Sequence, residues 1–258
     1  MKILVCIKQV PDTTEIKWTE NNTMQREGVE SIINPYDVYA LETALKIKKS
    51  MDAEITVLTM GPNQAEDILR KSLAIGCDNA ILLSDKKFAG ADTYATGKTI
   101  AAAIKSKLPD FDLIICGQFA IDGDTAQTGP TIASNLFIPQ ATYVKEVTEC
   151  NRQYLVVKRE IEEGIETLKV QLPALICVLK NHEEPTRATI NGIIKAQDAA
   201  INIYSLEDIG LSADAAGIKG SPTYVSKAFR PETKGQCVFV QSSDEIIKKL
   251  EEFDIING

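Results

Sequence analysis

Four short, nearly continuous apolar runs constrain this chain more than any other feature: residues 3–7 (ILVCI), 55–60 (ITVLTM), 80–83 (AILL) and 112–116 (DLIIC). Strands apolar on both sides must be covered on both sides, which is the habit of parallel sheets flanked by helices. The segments between them carry helical signals. In NPYDVYALETALKIKKS, Asn34 suits the N-cap, Pro35 the first helical position and Asp37 the positive end of the dipole, with Val38, Leu41, Ala44 and Leu45 as the apolar stripe. NQAEDILRKSLAIG sets Ile68, Leu69 and Leu73 on one face and stops at Gly76, and DTYATGKTIAAAIKSKL forms a third helix before Pro109. The order β-α-β-α-β-α-β predicts an α/β protein with a doubly wound, mostly parallel sheet, whose ligands sit beyond the carboxyl ends of the strands.

From about residue 141 the pattern changes. YLVVKRE and ETLKVQLPALICVL, joined by IEEG, predict an antiparallel hairpin added to the sheet. Beyond residue 183 long apolar runs are few, and only SSDEIIKKLEEFDI has the periodicity of a firm amphipathic helix. The expected division is therefore an α/β nucleotide-binding domain over 1–182 and, over 183–258, an arm that wraps a partner subunit.

The chain has 258 residues, of which 44% are hydrophobic and 25% charged, as in an ordinary globular protein. Its net charge of −8 argues against nucleic acid or an anionic membrane as main partner. The opening MKILVCIKQV lacks the features of a signal peptide and no run reaches the length of a membrane span, so the expected location is cytoplasmic. The six cysteines are widely separated with no C-x-x-C pair, which predicts reduced, mostly buried thiols and no metal site.

The loop that the switch-point rule selects most sharply is GQFAIDGDTAQTGP, residues 117–130. Gly117 lets the backbone leave its strand tightly, and a helix beginning near Asp124 or Thr125 would turn backbone N–H groups toward a phosphate. Asp124 then suits the helix cap, and Asp122 suits acceptance from a ribose hydroxyl or an adenine amine. Neither G-x-G-x-x-G nor G-x-x-x-x-G-K-[ST] is present. The only histidine, His182, sits in a polar turn without a nucleophile and acid to work with, and Trp18 lies in a polar loop. No catalytic side chain is expected, so the chemistry falls to a bound cofactor.

Several motifs in order, ILVCIKQVPD, NPYDVYALETAL, MGP, GQFAIDGDTAQTGP, VKREIEEGIETLKVQLPALICV and EPTRATINGIIKA, resemble the small, or beta, subunit of electron transfer flavoprotein along the whole chain. The resemblance implies a Rossmann-like domain with a C-terminal arm around an alpha subunit. It implies an AMP or a second FAD lined by Cys6, Asn34, Tyr36, Asp37 and Met60, and by Gly117, Gln118, Phe119, Ala120, Ile121, Asp122, Gly123, Asp124, Thr125, Ala126, Gln127 and Thr128. Partner contacts implied in the same way are Ile190, anchoring a recognition loop on a flavin-dependent dehydrogenase of acyl-CoA or hydroxy-acid type, and Glu160, pairing with the mobile flavin domain of the alpha subunit. Many relatives have a lysine run after IMKAK; here IIKAQDAA keeps only Lys195.

AMP-binding members resemble AIDDDCNQTGQ in the loop, and members that bifurcate electrons at a second FAD resemble the AIDGDTAQTGP of this chain. Gly123 and Thr125 replace an acid and a cysteine, which removes charge and bulk where a flavin needs room. FAGADTYATGKTIAAAI likewise resembles the bifurcating group and adds Asp92, Thr93 and Thr96 near the cofactor. By this resemblance NADH is the hydride donor, and the electrons go to ferredoxin and, through the alpha-subunit flavin, to the dehydrogenase. Two alternatives are a non-bifurcating carrier with structural AMP and a stand-alone ATP-binding protein. An ATP pyrophosphatase would show S-G-G-x-D-S after the first strand, where this chain has KQVPDT.

Overall fold

A computed structural model describes residues 1–12, 31–181, 184–226, 239–253 and 255; Trp18, His182 and Cys237 lie outside the described residues. In chain order the elements are β1 (Lys2–Cys6), β2 (Gln9–Pro11), β3 (Ser31–Ile33), α1 (Pro35–Ser50), β4 (Glu54–Met60), α2 (Glu66–Ile75), β5 (Asn79–Leu83), α3 (Thr93–Lys107), β6 (Leu113–Gly117) and α4 (Thr128–Leu136). There follow β7 (Gln140–Cys150), β8 (Tyr154–Ile161), β9 (Gly164–Gln171), β10 (Ala174–Val178), α5 (Ile190–Asp198), β11 (Ile201–Tyr204), α6 (Gly217–Gly220) and α7 (Ser243–Glu252).

Among these residues the main sheet runs β11-β5-β4-β1-β6-β10-β7-β8-β9, parallel from β11 to β7 and antiparallel in the β7-β8-β9 meander. The expected mostly parallel sheet and its added hairpin are both present. Alternate strand residues feed two cores. Ile3, Val5, Ile55, Val57, Leu113 and Ile115 pack under α1 and α2, and Leu4, Leu58, Ile81, Ile114 and Leu175 pack under α3 and α4. Two-sided burial of this kind is why these strands read as unbroken apolar runs.

Three features depart from the sequence reading. β2 and β3 form a small antiparallel sheet of their own. The stretch ETLKVQLPALICVL is not one strand: it breaks at Leu172 and Pro173, and its second half, β10, inserts between β6 and β7 in the middle of the sheet. Part of the segment expected as an arm folds onto the domain. β11 pairs with β5, Thr186 donates through N and Oγ1 to the buried Glu42 carboxylate at 2.6 and 2.9 Å, and Leu206, Ile209 and Ala216 enter the α3/α4 core. Ala196, Leu206, Ile209 and Ala216 look scattered in sequence because they dock at different places on a surface that the first 180 residues supply.

Candidate functional site

β1 is the switch point of the sheet. The chain leaves it toward β4 on one side and returns beside it as β6 on the other, so the carboxyl ends of β1 and β6 flank the place where an open α/β sheet has its ligand crevice. Cys6, Cys116 and Cys177 lie in register across β1, β6 and β10 at this carboxyl edge, all buried. Neighbouring thiols and burial push the Cys116 thiol well above its ordinary range, and all three side chains belong to the core under α3 and α4.

Two residues at the start of α1 hold the crevice together. Asp37, 5% exposed, accepts from the N–H of Lys8 (2.7 Å), just past β1, and from the N–H of Gly117 (3.2 Å), at the end of β6. A side chain at Gly117 would collide with Oδ1 of Asp37 and with the Tyr36 backbone, so glycine is required for this approach. Burial pushes the Asp37 carboxyl up to about 7, against the lowering effect of the Lys8 N–H, the Asn34 side chain and the Gly117 N–H. Asn34, 1% exposed, occupies the N-cap position but its side chain does not cap α1. Its Nδ2 donates to the Phe119 carbonyl at 2.8 Å and its Oδ1 accepts from the Ile121 N–H at 3.2 Å, clamping the loop after β6. The sequence signals for a cap and a dipole partner were real residue preferences put to a different use.

The loop itself turns on the Ala120 carbonyl, which accepts from the N–H groups of Gly123 (3.1 Å) and Asp124 (2.8 Å). Asp124 and Ala126 have φ of 48° and 56°, the left-handed region that most side chains disfavour. Asp124 does not cap the following helix. That helix, α4, begins at Thr128, with Gln127 as its N-cap residue, so the turn consumes four residues that the sequence reading assigned to the helix start. Gly123 is exposed, and a Cβ there would meet nothing within 4 Å. Thr125 is also exposed.

The opening turns of α3 and α4 lie side by side, because Gly97 leaves no room for a side chain against Thr131. Thr93 and Thr96 are in this turn of α3. Asp92 caps it, accepting from the Ala95 N–H at 2.9 Å, while its other oxygen accepts from the N–H and hydroxyl of Thr223 at 3.0 and 2.8 Å. Partial burial alone would raise the Asp92 pKa, but these donors take it below the ordinary carboxylate range. The structure thus ties Asp92 to the 221–223 segment, a role that the sequence did not announce.

Sequence reasoning named Gln118, Tyr36, Phe119 and Asp122 but missed their neighbours Tyr143, Lys180 and Lys8. Gln118, 3% exposed, turns inward and accepts through Oε1 from the Tyr143 N–H at 2.5 Å. Tyr36, Phe119 and Tyr143 then stand edge to face at centroid distances of 5.3 and 5.8 Å, with the Lys180 ammonium 4.6 Å above the Tyr36 ring. Lys8 Nζ bonds both oxygens of Asp122, at 2.6 and 2.7 Å. Its signal was a single base just beyond the first strand, opposite an acidic loop.

Met60 ends β4 on the same carboxyl edge, next to Gly61, whose N–H bonds the Leu83 carbonyl. Glu160, Ile190 and Lys195 are not in the crevice. Glu160 is on β8, in an exposed ion pair with Lys145 at 3.0 Å. Ile190 opens α5 and is 78% exposed, so the expected loop around it is a helix, capped by Thr189. Lys195 is in its last turn. α5 is seated on α2: a side chain at Gly192 would strike the Ala74 carbonyl, and Arg70 Nη1 donates to the carbonyls of Ala196 and Gln197 at 2.6 and 2.9 Å.

Among the described residues no helix is long and apolar enough to cross a membrane. The family pattern described as "Electron transfer flavoprotein domain" matches residues 21–209. The chain is 46% identical to the caffeyl-CoA reductase-Etf complex subunit CarD of Acetobacterium woodii, over 99% of this chain and 100% of that one. It is 44% identical to an electron transfer flavoprotein subunit beta of Thermoanaerobacterium thermosaccharolyticum, over 98% of this chain and 97% of that one. It is 41% identical to the acryloyl-CoA reductase electron transfer subunit gamma of Anaerotignum propionicum, over 95% of this chain and 94% of that one.

Proposed function

Because the chain belongs to the electron transfer flavoprotein family, among its beta subunits, we propose that the switch-point crevice binds FAD and that the protein works as the beta subunit of an NADH-dependent, electron-bifurcating complex. The observation that carries the reading is the paired hold of Asn34 and Asp37 on the loop after β6, which keeps residues 117–121 at the carboxyl edge whatever the loop binds.

The residues fit an adenine nucleotide. The first turn of α4, which has no side-chain cap, offers N–H groups and a positive dipole end to a pyrophosphate, whereas that of α3 beside it is taken by Asp92. Gly123 favours FAD over AMP, since the open space around it leaves room for a group that extends past the phosphates. Bound there, FAD supplies hydride acceptance from NADH and the division of the electron pair between ferredoxin and the alpha-subunit flavin that serves a partner dehydrogenase. The work of this chain is to bind, orient and exclude water: Asp37 and Asn34 fix the loop, and Gln118 fixes Tyr143. The relatives named after caffeyl-CoA and acryloyl-CoA reductases support an acyl-CoA type of dehydrogenase as partner.

Purification with the alpha subunit, followed by quantification of released FAD and AMP, tests the reading: two flavins and no AMP per heterodimer are expected, and one flavin with one AMP would assign a structural nucleotide instead. Gly123→Asp with Thr125→Cys should keep the heterodimer, because a Cβ at Gly123 meets no protein atom within 4 Å, yet lose one flavin and NADH-dependent ferredoxin reduction.

A further inference from the structure

An acidic loop is a poor place for an anionic ligand unless something offsets its charge. We infer that Lys8 is that offset: by holding both oxygens of Asp122 it neutralises the more buried of the loop's two carboxylates, Asp124 being exposed, and so acts as a positioning residue for an adenosine phosphate. The inference rests on the nucleotide reading above.

Three observations separate this pair from an ordinary surface ion pair, which contributes little. Asp122 is mostly buried, its side chain 15% exposed, so its charge is poorly screened by water. Both of its oxygens are taken by the ammonium, at 2.6 and 2.7 Å, which turns the carboxylate toward Lys8. Finally, both ends are mounted on one scaffold. The N–H of Lys8 is bonded to Asp37 and its carbonyl accepts from the Asn34 N–H at 2.9 Å, while the Asn34 side chain clamps Phe119 and Ile121 immediately before Asp122. The pair is therefore preorganised across the crevice, between the segments that follow β1 and β6. The sequence reading gave Asp122 a ribose hydroxyl or an adenine amine as partner; in the structure both of its oxygens accept from Lys8.

Charge compensation makes a prediction that simple contact does not: removing the base harms binding, and removing the acid as well repairs it. The alpha–beta heterodimer, freed of nucleotide at high salt, is titrated separately with FAD and with AMP, and the two arms show which ligand the site takes. Lys8→Met should weaken the tighter of the two by about tenfold, the effect of one uncompensated nearby charge, whereas Lys8→Arg should stay within about threefold of wild type. Asp122→Asn alone should bind as well as wild type or better, and Lys8→Met with Asp122→Asn should recover most of the loss. If Lys8→Met does not assemble, Asp122→Asn carries the test, and a tenfold loss in it overturns the inference by showing that the carboxylate itself holds the ligand. Equal weakness of Lys8→Met and the double variant also overturns it. A wild type that binds neither FAD nor AMP overturns the nucleotide reading itself, and this inference with it.

Discussion

Asp37 keeps a carboxyl group out of water at the point where two strand ends meet, and this gives the protein a pH dependence of definite sign. Its folded pKa is about 7 against an ordinary 3.8, so the folded chain holds a proton that the unfolded chain has released throughout that interval. The unfolded state then binds fewer protons than the folded one, and stability falls as pH rises from about 4 to about 7 and levels off above that. Each tenfold in proton affinity is worth about 1.4 kcal/mol, so the whole effect is a few kcal/mol. Urea denaturation across this range should show that decline. Asp37→Asn should flatten it, at a lower stability throughout, because an amide presents one acceptor oxygen where the N–H groups of Lys8 and Gly117 need two. An unchanged slope in the variant would place the titration elsewhere.

At the scale of elements, α5 is a rigid stage for Ile190. Gly192 and Arg70 press it onto α2, Ala196 is buried, and the outward face carries Ile190, Ile193 and Ile194 at 78%, 47% and 55% exposure. We expect Ile190→Ala to leave flavin content and thermal stability unchanged and to weaken docking of the dehydrogenase by about 1–3 kcal/mol, the worth of a central apolar anchor. Gly192→Ala should weaken the same docking without touching the anchor, since a methyl group there must push α5 off the Ala74 carbonyl. Electron-transfer rates at subsaturating dehydrogenase measure both; normal rates in both variants would mean that another surface docks.

How far these elements were legible depends on where their instructions reside. Strands buried on both faces declare themselves, because Ile3–Cys6 or Leu113–Cys116 must be apolar throughout, and Gly76 and Asp92 stop and start their helices by local chemistry. β10 was hidden because a central strand and the end of a hairpin share one apolar signature, and only pairing with β6 tells them apart. Within the site, the glycines and the loop were readable, but Asn34 looked like a cap. Its bonds to Phe119 and Ile121 span 85 and 87 residues of sequence, and no local pattern encodes a bond of that range.

For the whole molecule, the chain carries apolar surface that its own fold leaves uncovered. On α7, Ile246 and Ile247 are each 47% exposed, and beyond it Phe253 and Ile255 are 68% and 66% exposed, while no residue of the helix is buried. Such a face suits the expected embrace of an alpha subunit. Expression of this chain alone should therefore give poor solubility or loss of nucleotide, and co-expression with the alpha subunit should correct both. A stable, flavin-loaded monomer in sedimentation would reject obligate pairing.

The insertion of β10 between β6 and β7 also bears on the order in which the protein is made. Emerging from the ribosome, the chain can pair β1, β4, β5 and β6 early, but Gln118 at the crevice rim awaits two later arrivals: its N–H bonds the Val178 carbonyl at 2.9 Å, and its side chain bonds Tyr143. The strands β7, β8 and β9 are all synthesised before β10, which takes the place between β6 and β7. A nascent chain that stops short of Val178 lacks the carbonyl that fastens Gln118, so the rim after β6 is completed only once synthesis has passed through β10.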